Sequence, residues 1–535
     1  MSTDPTEASD PATPTPAGGA AAPATEQPWL RLDRRTVYVT AISRVGFAVV
    51  VGAVGAASSG TPLAWVALGG VLLLAAGIVA EYVRWRVSRY RVTAERLERR
   101  FDFITHQRRS LARERIRSVD IAANLVQRLF GLAVVTIGTG QQNDADRIKL
   151  DPVSHAEAER LRAELLRRRR PDPGTQPAQQ AQPAEPAPGT EPAGGSVLAR
   201  LDWSWIRYAP ASFVAPLLGA AAFGAVLNAS GWFGLREGVL EWSFDLLSSA
   251  PIVFAVVTVV VIAVVVGLIG SLVIFAERWW DYRLDREPGG TLRIRRGLLT
   301  TRSISIEERR LRGVEVVEPL GIRLVGAARV DAVMTGIRQN DGDSKSDLKT
   351  LAPPVPRAFA DQVTADVLTE EVAPTVAARL APHPRAARGR RLRWALLGTL
   401  IPTAILAGLG ASLTGVLLHL AWIWALVVGP IAVLLALDAY RNLGHGITGG
   451  YLVARSGAAR RGTVALQRSG IIGWTARQSI FQRRAGLITL SATTAAGSGA
   501  YSIFDVAQGD GLAFAERAVP DLFGPFLERD EPGSP

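Results

Sequence analysis

The chain contains no cysteine. That excludes a disulfide framework, thiolate catalysis and any cysteine-ligated metal site. Histidine is scarce: His106, His155, His383, His419 and His445 are scattered, and none shares a position between the repeats described below. No nucleophile elbow, phosphate-binding glycine loop or zinc-ligand spacing occurs. No catalytic residue, cofactor, metal ion or small-molecule substrate is therefore expected. Lysine is limited to Lys149, Lys345 and Lys349, so the net charge of +12 is carried almost wholly by arginine. A balance this basic suggests nucleic acid or an anionic membrane surface as a neighbour. Long apolar runs are not lacking. With 48% hydrophobic residues and a mean hydropathy of +0.18, a chain that also has long polar tails must concentrate its apolar content in segments.

The strongest pattern is internal repetition. Residues 111–132, LARERIRSVDIAANLVQRLFGL, recur without gaps at 306–327 and 466–487, offset by 195 and 355. Leu111, Ile306 and Leu466 coincide, as do Ile116, Leu311 and Ile471. Arg128, Arg323 and Arg483 coincide, and three residues later so do Gly131, Gly326 and Gly486. One small module was used three times.

Residues 1–28 are Pro, Ala, Thr and Gly with scattered acids, a composition that cannot offset ordering entropy, and form a disordered N-terminal tail. Two apolar runs over 37–80, interrupted by Arg44 and separated by Ser58–Pro62, make a first membrane hairpin. From residue 81 the character changes to short apolar patches at strand spacing, as in Leu292 and Ile294, then Ile304 and Ile306. A capped helical stripe follows, with Ser154 and Glu157 as the capping box and Ala158, Leu161 and Leu165 on one face. The first antiparallel α+β module thus spans 81–170. A Pro/Gln/Ala linker, disordered by composition, covers 171–198. The plan repeats with a hairpin at 207–276 and a module at 277–385, then a hairpin at 395–438 and a module at 439–528, before the tail 529–535. Six transmembrane helices are expected.

Orientation follows from the basic flanks. Arg31, Arg34 and Arg35 precede the first span, the arginines from 84 to 100 follow the second, and Arg388, Arg390, Arg391 and Arg393 precede the fifth. The turns within the hairpins carry almost no basic residue. Both termini and all three modules are expected on the cytoplasmic side of a cell membrane.

The order of an apolar hairpin, Tyr282–Leu284, the stretch LRIRRGLL at Leu292–Leu299 and the repeat ending Arg-Leu-Val-Gly resembles bacterial PH-like domain proteins. Among these it is most similar to the YdbS/YdbT membrane group, whose larger members alternate membrane hairpins with such domains. The resemblance implies a PH-like fold in each module, an antiparallel sheet sandwich closed by a C-terminal helix. It brings no established catalytic residue. Asp102 stands where the pattern has Gly297, and Trp474 where it has Val314; the third copy reads as degenerate.

The repeated arginines could contact phospholipid headgroups or a partner's carboxylates. The simpler expectation is that each braces its own loop on backbone carbonyls, and that each glycine serves a turn. The acidic turns at Gln142–Asp146 and Gln339–Asp343 are reminiscent of calcium loops but lack a closing Glu, so they are expected as solvated turns. No basic stripe with interleaved aromatics supports a nucleic-acid partner. A carrier is the rival to a scaffold, yet the spans hold almost no ionisable residue at mid-membrane. The sequence points to a non-enzymatic multi-pass protein, an interaction scaffold or envelope-stress factor, with a carrier or membrane-bound lipid sensor as the alternative. Its partners are the lipid bilayer and either a membrane protein of the same family or further copies of itself.

Overall fold

The computed structural model describes residues 29–36, 38–39, 42, 63–93, 95–102, 106–116, 118–138, 147–166, 195–211, 251–335, 349–520 and 522, with isolated positions between 221 and 241. The expected tails, residues 171–194 of the linker, nearly all of the first and third spans and both acidic turns lie outside these residues.

The first module opens with β1 (Leu30–Arg31) and α1 (Leu63–Val87), then β2 (Ser88–Val92), β3 (Arg96–Asp102), β4 (His106–Ala112), β5 (Ser118–Ala123), α2 (Leu125–Leu129), β6 (Leu132–Gly138), β7 (Arg147–Ser154) and α3 (His155–Leu166). The second consists of β8 (Ser196–Arg200), α4 (Ile252–Trp279), β9 (Arg283–Glu287), β10 (Thr291–Arg296), β11 (Thr301–Glu307), β12 (Leu311–Pro319), α5 (Leu320–Leu324), β13 (Ala327–Met334), β14 (Thr350–Pro356) and α6 (Arg357–Leu368). After α7 (Pro374–Ala377), the third has α8 (Arg385–Ser412), α9 (Gly415–Arg441), β15 (Gly444–Thr448), β16 (Tyr451–Ser456), β17 (Arg460–Gln467), β18 (Ile471–Arg477), α10 (Ile480–Arg484), β19 (Leu487–Thr494), β20 (Ala500–Ala507) and α11 (Gln508–Ala518). The third copy, expected to be degenerate, has the same order of strands and closing helix as the second.

Alternation decides which faces are buried. Leu292 and Ile294 on β10 and Ile304 and Ile306 on β11 turn inward and are essentially inaccessible, joined by Val314 and Val316 of β12 and by Val363 and Val367 of α6. Leu97, Ile121, Val135 and Leu161 do the same in the first module, and Leu452, Leu466, Leu490 and Phe514 in the third. In each copy a tight turn (Arg113–Arg115, Glu308–Arg310, Arg468–Gly470) carries the chain from one sheet of the sandwich to the other.

The sheets do not stop at module boundaries. One seven-stranded sheet runs β7-β6-β5-β11-β10-β9-β8, so the second half of module one and the first half of module two form a single ladder. A six-stranded sheet, β14-β13-β12-β17-β16-β15, fuses modules two and three in the same way. The ends are a four-stranded sheet β1-β2-β3-β4 and a three-stranded sheet β18-β19-β20. The three modules are therefore welded edge to edge rather than strung on linkers. Ser196–Arg200, counted in sequence partly as linker, is a strand paired with β9.

Of the six expected spans, three are met among the described residues, and the first and third lie almost wholly outside them. Among the described residues, Val257–Trp279, Arg385–Ser412 and Gly415–Arg441 are helices long and apolar enough to cross a membrane. Helix α1, at the expected second span, has its charged residues, Glu81, Arg84 and Arg86, confined to its last turns. Helices α8 and α9 form an antiparallel hairpin. A side chain at Gly410 would collide with the backbone of Leu418, so the small residue permits the close approach.

Candidate functional site

The repeated Arg–Gly stretch builds one local structure three times. Helices α2, α5 and α10 are single turns that end in Gly131, Gly326 and Gly486, with φ of 65°, 71° and 62°. Each glycine donates its N–H to the carbonyl of the repeated arginine (3.0, 3.0 and 3.2 Å). Each glycine carbonyl accepts from the first residue of the closing helix, His155, Arg357 or Gln508 (2.9, 3.0 and 3.0 Å). The left-handed turn thus fixes where the helix starts. Asn124 with Gln127 and Ser479 with Gln482 form reciprocal capping boxes on two of the three turns.

The arginine side chains do something else. They were expected to brace their own loops, but Arg128 reaches across the first junction and donates to the Leu298 carbonyl of module two at 2.7 Å. Arg323 reaches forward to Asp438, at the end of α9, also at 2.7 Å. Arg483 is exposed. The six repeated residues do not converge on one site; the first two pairs sit at the boundary to the next unit.

Charge fills the first junction. Arg162 of α3 pairs with Glu159 (3.0 Å) and with Glu287 of module two (2.8 Å), and Arg293 of β10 joins both carboxylates. Burial pushes the Glu159 carboxyl up, but Arg293 and Arg162 outweigh this and hold it below the usual range. Beside the network lies an open cleft of about 620 Å³, lined by Arg128, Arg293, Arg295, Arg296 and Arg302 with Glu159 and Asp281. Arg296 stacks over the Trp279 ring at the end of α4, 4.4 Å from its centroid.

At the second junction Glu318 of β12 stands directly opposite Arg461 of β17. The carboxylate receives two guanidinium contacts from Arg461 (2.6 and 2.8 Å) and one from Arg357 (3.0 Å). Glu315 pairs with Arg460 at 3.1 Å. A third cluster joins module three to its hairpin. Asp505 is fully buried and accepts from Gln482 (2.9 Å), with Arg390 at 2.6 Å and Arg391 at 3.5 Å from the first turns of α8. Sequence reasoning missed these carboxylates, although an acid amid strand residues, as in VEVVEP, was the available signal.

His383 and His445 lie against each other beside this cluster, ring centroids 5.0 Å apart, with Phe514 4.6 Å from His445. Burial, then the neighbouring His445, pushes His383 down to about 4; Asp505 opposes this and Arg391 adds to it. Burial also lowers His445, which faces Asp510 and Arg517. A histidine whose folded pKa lies below its unfolded value stabilises the fold above the unfolded value and loses that contribution as pH falls. Module three should therefore weaken between about pH 6.5 and pH 4. Melting curves of His383→Phe should show a shallower acid decline than those of the parent; an unchanged slope would refute the assignment.

Against known proteins, two stretches of the chain, residues 46–169 and 397–517, match the bacterial PH domain family. These are modules one and three with parts of their preceding hairpins. The second module lies outside both matches but repeats the same order of strands and closing helix. No curated protein and no solved structure matches the chain. The finding supports a protein of bacterial PH-like domains, a class typically non-catalytic and given to binding lipids or other proteins.

Proposed function

We propose that the chain is a multi-pass membrane protein that presents three PH-like modules at the cytoplasmic face as a non-catalytic interaction scaffold. The observation that carries this reading is how firmly modules are fixed to helix ends. Asp505 binds the start of α8, Arg323 binds the end of α9, and Leu298 and Gly297 donate to the Glu277 and Trp280 carbonyls at the end of α4 (both 2.8 Å). Domains that merely hung from the bilayer would have no use for buried ion pairs at their attachment points. A surface meant to hold partners in fixed register does.

The cysteine-free chain permits a direct test of topology. Cysteine at Ser412, the last residue of α8 before the turn into α9, should react with an impermeant thiol reagent in whole cells. Cysteine at Glu371 or Asp510, both exposed on modules, should react only after the membrane is opened. Labelling of position 371 or 510 in intact cells would overturn the arrangement.

The arginine-lined cleft at the first junction favours a second reading, a sensor of anionic lipid headgroups. Juxtamembrane cations contribute about 1 kcal/mol each at such a surface and are screened within about 10 Å. Arg295→Gln with Arg302→Gln should then reduce the anionic lipid that copurifies with the protein, more at low salt than at high. Unchanged lipid would leave the scaffold without the sensor.

A further inference from the structure

Both internal junctions use one register. In the first, Ser118 of β5 faces Ile306 of β11, and Ala123 faces Thr301. In the second, Gly313 of β12 faces Leu466 of β17, and Glu318 faces Arg461. Adding 195 to the first partner and 160 to the second converts one set of pairs into the other without a slip. The two interfaces are thus copies of a single interface, made between the first strand of one module's second sheet and the last strand of the next module's first sheet.

Among the described residues, the first and last modules each carry one unused half of that interface. Strand β18 corresponds to β5 and β12, and β4 corresponds to β11 and β17, yet among the described residues β18 pairs only with β19 and β4 only with β3. Strands β7 and β14 and their counterpart β20 are margins in every copy, and β15, whose counterparts β9 and β2 take the short strands β8 and β1, is bridged on that edge by Ala381 to His445. The β18 and β4 edges are open, with Thr475, Ala476 and Arg477 exposed on one and Arg108, Arg109 and Ser110 on the other. Arg483 adds an independent sign. Arg128 and Arg323 both reach forward into the following unit, and their counterpart at the last edge extends into solvent.

We infer that β18 of one copy pairs with β4 of a second copy, in the register of the internal junctions, so that the protein assembles head to tail. Continuing the register places Gly473 opposite Leu111, Trp474 opposite Ser110, Thr475 opposite Arg109 and Ala476 opposite Arg108. The guanidiniums of β4 therefore meet small neutral residues rather than one another. Leu320 donates its N–H to Ala459 across the second junction. Antiparallel alternation then makes Val314, Val316 and Glu318 the residues bonded across it, and turns the backbone of Trp474 and Ala476 outward on β18. The contact is heterologous, so it closes a ring, in which every β4 and β18 edge is paired, or extends a row with one such edge at each end.

Disulfide trapping tests this in the full-length protein in detergent. Positions 475 and 109 form a non-hydrogen-bonded pair, whose Cα separation of about 4.5 Å lies within disulfide range. Their internal counterparts are Glu315 and Val464, which also face each other. Glu315→Cys with Val464→Cys should close an intramolecular bond and thereby calibrates the geometry. A mixture of Thr475→Cys protein with Arg109→Cys protein should give a disulfide dimer on oxidation, neither alone should, and the double variant should give a ladder. Ala476→Pro, which removes an outward N–H from an edge strand, should abolish the dimer without changing the melting temperature. Silence in the mixture when the calibrating pair closes would overturn the proposal. So would a dimer from Thr475→Cys alone, or a crosslink from position 475 only to a different protein in native membranes.

Discussion

Replacing Arg390 and Arg391 together with alanine should destabilise the chain by about 3–5 kcal/mol, because it strands a buried carboxylate. Asp505 has no access to water, and two guanidiniums and the Gln482 amide are what meet its oxygens. Its backbone sits at φ 57°, a conformation that Asn tolerates nearly as well as Asp, so Asp505→Asn removes charge without adding strain. Adding Asp505→Asn to the double alanine variant should therefore restore part of the lost stability. Such sign reversal between neighbours is the mark of a coupled charge cluster. Thermal melts of the four proteins in one detergent check it. A triple variant less stable than the double would show that the arginines act only through their helix.

Glu318→Ala should cost on the order of 3 kcal/mol, through loss of the clasp between modules two and three. Both of its arginine partners keep some solvent access and can rehydrate, which limits the loss. The more informative readout is local. Amide exchange should accelerate in β12 and β17, on the two sides of the junction, while β18–β20 remain protected. Uniform acceleration over all three modules would mean that the junction is not a separable seam.

Much of the architecture was legible from residues alone. The repeat located three modules because Arg128–Gly131, Arg323–Gly326 and Arg483–Gly486 recur in step, and a glycine that must adopt positive φ leaves a local mark in sequence. Alternation in TLRIRR and TRSISIE marked strands, since a two-residue period is written directly into which side chains are apolar. The apolar runs in the expected hairpins at 207–276 and 395–438 marked helices long enough to span a bilayer, found at Val257–Trp279, Arg385–Ser412 and Gly415–Arg441. The repeated arginines were found but misread. Their spacing tied them to their own loops, whereas their contacts lie 170 and 115 residues away.

What the amino-acid order determined by itself is thus local: module count, strand and turn positions, and the segments rich enough in apolar residues to form long helices. Tertiary structure alone decided that the modules share sheets, that Glu318 and Asp505 serve as clasps, and that β4 and β18 each keep an edge unpaired among the described residues. The reason is that a sheet margin is recognised by backbone N–H and C=O groups, which every residue carries alike. Whether a strand lies inside a ladder or at its edge depends on which distant strand arrives beside it, and neither side-chain period nor composition records that arrival.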